Sequence, residues 1–188
     1  TDPEITCPAN ITIYTATGQC NAIVNFTGEN AATAEDNCGT PTVTYSPVSG
    51  SSFAKGTTTV TATATDGAGN TASCTFTVTV TDNEPPSIDC PQNVTVSAPA
   101  GQFTATVDPG TPTGDDNCVT VSFSGVRDDN QPLDAPYPVG TTTIVWTATD
   151  GSNLKATCNQ TVTVNDVTPP AVSINQATRQ ADPTGNRT

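Results

Sequence analysis

The chain repeats itself, and no other feature limits its possible folds as strongly. CPANITI at residues 7–13 returns as CPQNVTV at 90–96, 83 residues on. EDNC ending at Cys38 returns as DDNC ending at Cys118, 80 residues on. GTTTVTATATDG from Gly56 returns as GTTTIVWTATDG from Gly140, and CTFTVTVTD from Cys74 returns as CNQTVTVND from Cys158, both 84 residues on. Four blocks in one order at nearly one offset describe a duplicated module. The copies take residues 1–82 and 83–168, and residues 169–188 are left as an extended tail or the start of a further module.

Within each copy the blocks alternate apolar and polar residues with period two, which sends one set of side chains into a core and the other into water. Ala22, Val24 and Phe26 share a face, as do Val60, Ala62 and Ala64, and Phe76, Val78 and Val80. Thr59, Thr61, Thr63, Thr75, Thr77 and Thr79 take the opposite one. The second copy repeats the pattern with Phe103, Ala105 and Val107, then Ile144, Trp146 and Ala148, then Val162 and Val164. Short alternating strands with Gly, Pro, Asn and Asp between them, and no helical period, predict an all-β chain of two antiparallel sandwiches in tandem.

Such modules have little to bury. Of the 188 residues 34% are apolar and 5% aromatic, and a small domain removes a smaller share of its surface from water than a large one. Covalent help is expected, and the seven cysteines offer it. They stand singly at wide spacings in a chain without histidine, unlike the ligands of a zinc site. This points to an oxidising, extracellular location at the cell surface. With a formal charge of −13, the chain repels phosphate backbones and anionic lipid, so nucleic acid is excluded as a partner and cations are the natural ones. No apolar run approaches the roughly 20 residues of a membrane helix, which argues against membrane insertion. The sequence opens without a charged and apolar leader, as a mature, soluble piece of an exported protein does.

CPxN near the start, DNC in the middle, GTTTVTxTATDxAGN later and CxFTVTVTD at the end, followed by DNEPPSIDCP, closely resemble the hyalin repeat (HYR) module. The resemblance covers residues 5 to 166 as two copies. It implies an immunoglobulin-like fold and a place in long arrays of secreted adhesion and matrix proteins, including bacterial surface proteins. After Pro169 and Pro170, the tail AVSINQATRQADPTGNRT resembles the first strand of another bacterial immunoglobulin-like repeat.

In the immunoglobulin-like topology so implied, the first and last strands begin at the same end of the sandwich, so Cys7 faces Cys74 and Cys90 faces Cys158. Cys20 and Cys38 remain as a second pair for the first module. The second module has Phe103 in place of Cys20, which leaves Cys118 either as a free thiol or bonded to another chain. Asp36, Asp66, Asp82, Glu84, Asp116 and Asp150 lie in loops and in the linker at the pole where a module begins. Hard oxygen donors converging there suit calcium (Ca2+), which takes six to eight oxygens, in an arrangement similar in kind to cadherin junctions. Asp-Gly and Asp-Asn are also ordinary turn residues that bind local amides. Five NxT sequons, at Asn10, Asn25, Asn93, Asn159 and Asn186, make a glycoprotein plausible.

Catalysis has no foothold. A Ser or Cys nucleophile here lacks a histidine base, and no GxSxG elbow or metal triad occurs. The expected role is a non-catalytic structural or adhesive module, a repeating unit of a surface stalk or filament. Its partners are other copies of itself, joined head to tail when the polar tail adds as a strand to a neighbour's sheet edge. The alternative is a carbohydrate-binding adhesin whose ligands are surface glycans. Such a site calls for exposed aromatics beside polar groups, and Tyr14, Tyr45 and Tyr137 are the aromatics off the core-facing phases.

Overall fold

The structure, a computed structural model, describes residues 1–118 and 120–170. The tail from Ala171 onward, with Asn186 and the strand addition expected of it, lies outside them.

The first module runs through β1 (Glu4–Thr6), β2 (Ile11–Tyr14), β3 (Asn21–Val24), β4 (Thr33–Glu35), β5 (Thr42–Ser46), β6 (Ser51–Ala54), β7 (Gly56–Thr65) and β8 (Thr71–Thr81). One layer is the sheet β2-β8-β7-β5; the facing layer holds the pairs β3-β6 and β1-β4. The second module follows with β9 (Val94–Ser97), β10 (Thr104–Ala105), β11 (Ser122–Arg127), β12 (Tyr137–Pro138), β13 (Gly140–Thr149) and β14 (Lys155–Asn165). It repeats the plan as β9-β14-β13-β11 against β10-β12, and a single bridge, Asp89 to Thr113, stands where β1 and β4 pair. Both modules are immunoglobulin-like sandwiches. Their pairing is antiparallel except at one edge of each larger sheet, where β2 runs parallel to β8 and β9 parallel to β14.

The threonine-alternating blocks make the long hairpins. Val60, Ala62 and Ala64 on β7 and Phe76, Val78 and Val80 on β8 are buried, as are Ile144, Trp146 and Ala148 on β13 and Val162 and Val164 on β14. Threonines on the opposite face join hydroxyls across strands, Thr57 to Thr79 at 3.1 Å and Thr141 to Thr163 at 3.3 Å. Such cross-strand pairs hold register on a half-wet face. The CPxN asparagines tie the parallel edge, because the Asn10 side chain accepts the Thr77 amide and Asn93 accepts that of Thr161, each at 2.9 Å.

The two cores are filled differently. The first packs Phe26 against Tyr45, Phe53 and Phe76, with ring centroids 4.8, 6.0 and 5.3 Å apart. In the second, Trp146 pairs with Gly125 where the first module pairs Ala62 with Tyr45. The large and small residues have exchanged strands. A Cβ on Gly125 would lie 2.7 Å from the indole, so this position must stay bare. Gln160, at the Phe76 position, accepts the Trp146 indole N–H at 2.9 Å and donates to the carbonyls of Gln92 and Pro109. This buried polar hub is satisfied, as burial requires.

Two expectations about side chains are corrected here. Phe103 is 76% exposed instead of core-facing, because β10 begins only at Thr104 and leaves the phenyl ring in a loop. Tyr137 is buried rather than available to a ligand, with its hydroxyl donating to the Leu133 carbonyl at 3.0 Å. Arg127 is also buried, while its partner Asp129 stays partly exposed. The Arg127 guanidinium is buried 3.8 Å over the Tyr137 ring, pairs with Asp129, and donates to the carbonyls of Pro132, Ala135 and Pro136.

Candidate functional site

Each module has a leading pole, where β1 or its counterpart enters, and a trailing pole, where β8 or β14 leaves. In the first module the turns at Asp36 and Asp66 lie at the leading pole. The 16–20 loop and Lys55 lie at the trailing one, as the strand directions require. The site of interest is the junction, where the first module's trailing pole meets the second module's leading pole.

Cys7–Cys74 and Cys90–Cys158 are bridged as expected, each between the entry segment and the start of the last strand. The third bridge is a correction: Cys20 pairs with Cys118, across the junction, and Cys38 is the exposed free cysteine among the described residues. Cys20 and Cys38 stand at opposite poles of a sandwich whose β7 has ten residues, a separation of about 30 Å at strand rise. A disulfide needs Cα atoms within about 7 Å, a condition that Cys20 and Cys118 meet at 4.6 Å. The signal was present in the duplication: GQC lies in a trailing loop and DNC in a leading loop, so the pair belongs to successive modules.

A polar lock surrounds the bridge. The Lys55 ammonium donates to the Ser152 hydroxyl and lies 3.5 Å from Asp82 Oδ2, which also accepts the Ser152 hydroxyl at 3.0 Å. Beside it the Asn117 amide donates to the Gln19 carbonyl and the Gly18 amide to Glu84 Oε2, both at 2.8 Å. The Asp82 side chain is fully buried. Burial alone would raise its carboxyl, but the Glu84 amide, the Ser152 hydroxyl and the Lys55 ammonium together hold it below the usual carboxylate value.

The six expected calcium ligands are divided by this geometry. Asp36 and Asp66 are at the leading pole of the first module, each folded into its own turn: Asp36 accepts the Cys38 amide, and Asp66 accepts the amides of Ala68 and Asn70. Asp82, Glu84, Asp116 and Asp150 gather at the junction. Carboxylate oxygens of Asp82 and Asp116 lie with Cys118 Sγ inside a 4.8 Å cluster, but that sulfur is spent in a disulfide. Asp150 Oδ1 accepts the Ser152 and Leu154 amides, while its Oδ2 is buried without a hydrogen bond. The donor set fits calcium incompletely, since Lys55 already supplies the counter-charge at Asp82 and two acids serve their own turns.

Elsewhere the second module has a cavity of about 430 Å3 lined by Val107, Pro109, Leu133 and Trp146, with Asp108 and Asp134 beside them. Trp146 is 4% exposed there, so its ring belongs to the core and not to a stacking platform. Among the aromatics expected at a sugar site, Tyr14 is exposed and Tyr45 is half-buried, its hydroxyl accepting the Ala32 amide at 2.9 Å. The sequon residues Asn10, Asn25, Asn93 and Asn159 are exposed.

Two disulfide-stapled sandwiches welded pole to pole define a class: tandem immunoglobulin-like modules of the extracellular kind. The profile of the HYR domain matches residues 1–80 and 81–164, and the chain belongs to the HYR domain family. Hyalin of Strongylocentrotus purpuratus is 35% identical over 92% of this chain, and hyalin of Lytechinus variegatus 36% identical over 93%. The "Sushi, von Willebrand factor type A, EGF and pentraxin domain-containing protein 1" of Rattus norvegicus is 32% identical over 84%. The chain spans 14%, 33% and 4% of those proteins. All three are animal proteins, and they lend no support to the bacterial source suggested by the tail. Among solved structures, protocadherin gammaB7 EC3-6 aligns with a TM-score of 0.42 at 17% identity, over 87% of this chain and 51% of that one. Mouse cadherin-23 EC22-24 aligns at 0.42 and 13%, over 87% and 66%. Among the described residues no helix is long and apolar enough to cross a membrane.

Proposed function

We propose that this chain is a non-catalytic spacer of an extracellular adhesive array, a repeating unit of a surface stalk or filament whose modules are locked in one mutual orientation. The observation that supports this reading is the Cys20–Cys118 bridge with its Lys55–Asp82–Ser152 lock. A short linker alone permits relative domain motion. A covalent tie beside the Ser152 hydroxyl, hydrogen-bonded to both Lys55 and Asp82 of the preceding module, removes most of that freedom and lets a pull on one module reach the next. Most of what the duplication preserves is strand, turn and bridge, which serves shape.

Peptide mapping without reduction tests the weld. Linked Cys20 and Cys118 peptides, together with alkylation of Cys38 in the folded protein, are the expected result. A linked Cys20 and Cys38 peptide would overturn it. Calcium is proposed only as a weak additional ligand of the acidic outer face of the junction, at Glu84 and Asp116, in the range of about 0.1 to 1 mM common to extracellular modules. Calorimetry on the whole chain checks this, and absence of heat at several millimolar calcium would leave Lys55 as the sole counter-charge there.

A further inference from the structure

The leading pole of the first module is a second, uncovered copy of the face that the junction covers on the second module. At the junction, Glu84, Ser87, Asp115, Asp116 and Asn117 line a hollow of about 310 Å3 closed on one side by Gly18 of the preceding module. At the leading pole of the first module, the repeat counterparts Thr1, Glu4, Glu35, Asp36 and Asn37 line a hollow of about 310 Å3. The cysteine beside each hollow is set by the same turn: Asp36 Oδ2 accepts the Cys38 amide and Asp116 Oδ2 the Cys118 amide, both at 2.9 Å. Cys118 is bonded to the preceding module, whereas Cys38 is exposed and free.

We infer that this face docks the trailing pole of a preceding module carrying a cysteine at the Cys20 position, and that Cys38 bridges to it. The occupant is identified by what covers the equivalent face here: a loop with a cysteine, and a lysine one residue before the long hairpin. The second module's own trailing pole keeps the backbone of that loop, since Val139 donates to the Phe103 carbonyl as Lys55 does to that of Cys20. It replaces both reactive groups with exposed Phe103 and Val139. A second copy of this chain therefore docks no covalent partner on Cys38, and the partner is a different HYR module. Forming the bridge joins two thiol sulfurs and releases two protons and two electrons, which reduce a disulfide oxidant such as oxidised glutathione to two thiols. The identity of the partner rests on the array reading given above, but the docking face is testable without it.

The test converts the second module's trailing pole into the missing partner. The whole chain with Phe103→Cys and Val139→Lys is held in a glutathione redox buffer at about 1 mM protein, the effective concentration that a short linker provides. The expected product is a disulfide-linked ladder containing the Cys38 peptide joined to the new cysteine at 103, with Cys20–Cys118 intact. Adding Cys38→Ser removes the ladder. A chain with Ile23→Cys, a site 65% exposed on β3 of the first module and outside the second module's trailing pole, is the control, and its cross-link to Cys38 is expected to be about tenfold less abundant because no docking raises the local concentration. Equal cross-linking at 23 and 103, or recovery of the residue-103 sulfur only as its glutathione adduct, overturns the proposal. The ladder reads the Cys38 face alone, so its failure leaves the rigidity of the existing junction as a separate question.

Discussion

Gly125 and Trp146 carry the second module's departure from the first, and each is intelligible only beside the other. Gly125→Ala forces a methyl group toward the indole at 2.7 Å, and overpacking of this kind costs about 1–3 kcal/mol. The expected outcome in a urea titration is a lower midpoint for the second module alone. Arg127→Met takes the buried guanidinium donor away from the carbonyls of Pro132, Ala135 and Pro136. Leaving buried acceptors unsatisfied costs about 1–3 kcal/mol, and the same titration reads it. Neither arrangement was legible in the sequence. Period-two alternation marks the Trp146 position as buried, but Gln160 and Arg127 look like solvent residues until their partners, remote in space or turned inward by a loop, are known. Cys74 and Cys158 could be placed on strands, whereas the pairing of Cys20 with Cys118 depended on which pole each loop occupied.

The long hairpins β7-β8 and β13-β14 were readable almost residue by residue, because alternation over ten or eleven residues leaves one register that buries the apolar face. The short β10 was not, since two residues carry no period. Turns close the hairpins, and Asp66 shows how. Its carboxyl is held below the usual value, first by the Asn70 side chain, against some burial, and then by the amides around the turn. A carboxyl whose folded value is depressed stabilises the fold above its unfolded value, about 3.9, and that contribution fades as pH falls through the folded value. Asp82 and Asp129 are lowered in the same direction. Stability is therefore expected to hold from neutral pH to about pH 4 and to decline below it. Asp66→Asn is expected to flatten that acid limb, which urea midpoints measured against pH will show.

At the scale of the whole molecule, the duplication made two modules certain and placed acids and cysteines at the poles, so the region of the site was visible before its chemistry was. What it hid was the sharing of a lock between modules, because the first copy read alone holds both Cys20 and Cys38 and pairs them with each other. The Cys20–Cys118 bridge closes 98 residues, and a loop of that size is worth about 4–5 kcal/mol in the chain-entropy account. Its larger consequence is mechanical, since two sandwiches joined by a disulfide and by four hydrogen bonds, two at Ser152 and two from Asn117 and Gly18, are expected to move together. Residual dipolar couplings on the intact chain test this most directly. The rigid junction predicts one alignment tensor shared by both modules, splitting into two of unequal magnitude when Cys20→Ser and Cys118→Ser are introduced. Two different tensors in the unaltered protein, with the Cys20–Cys118 bridge present, would contradict it.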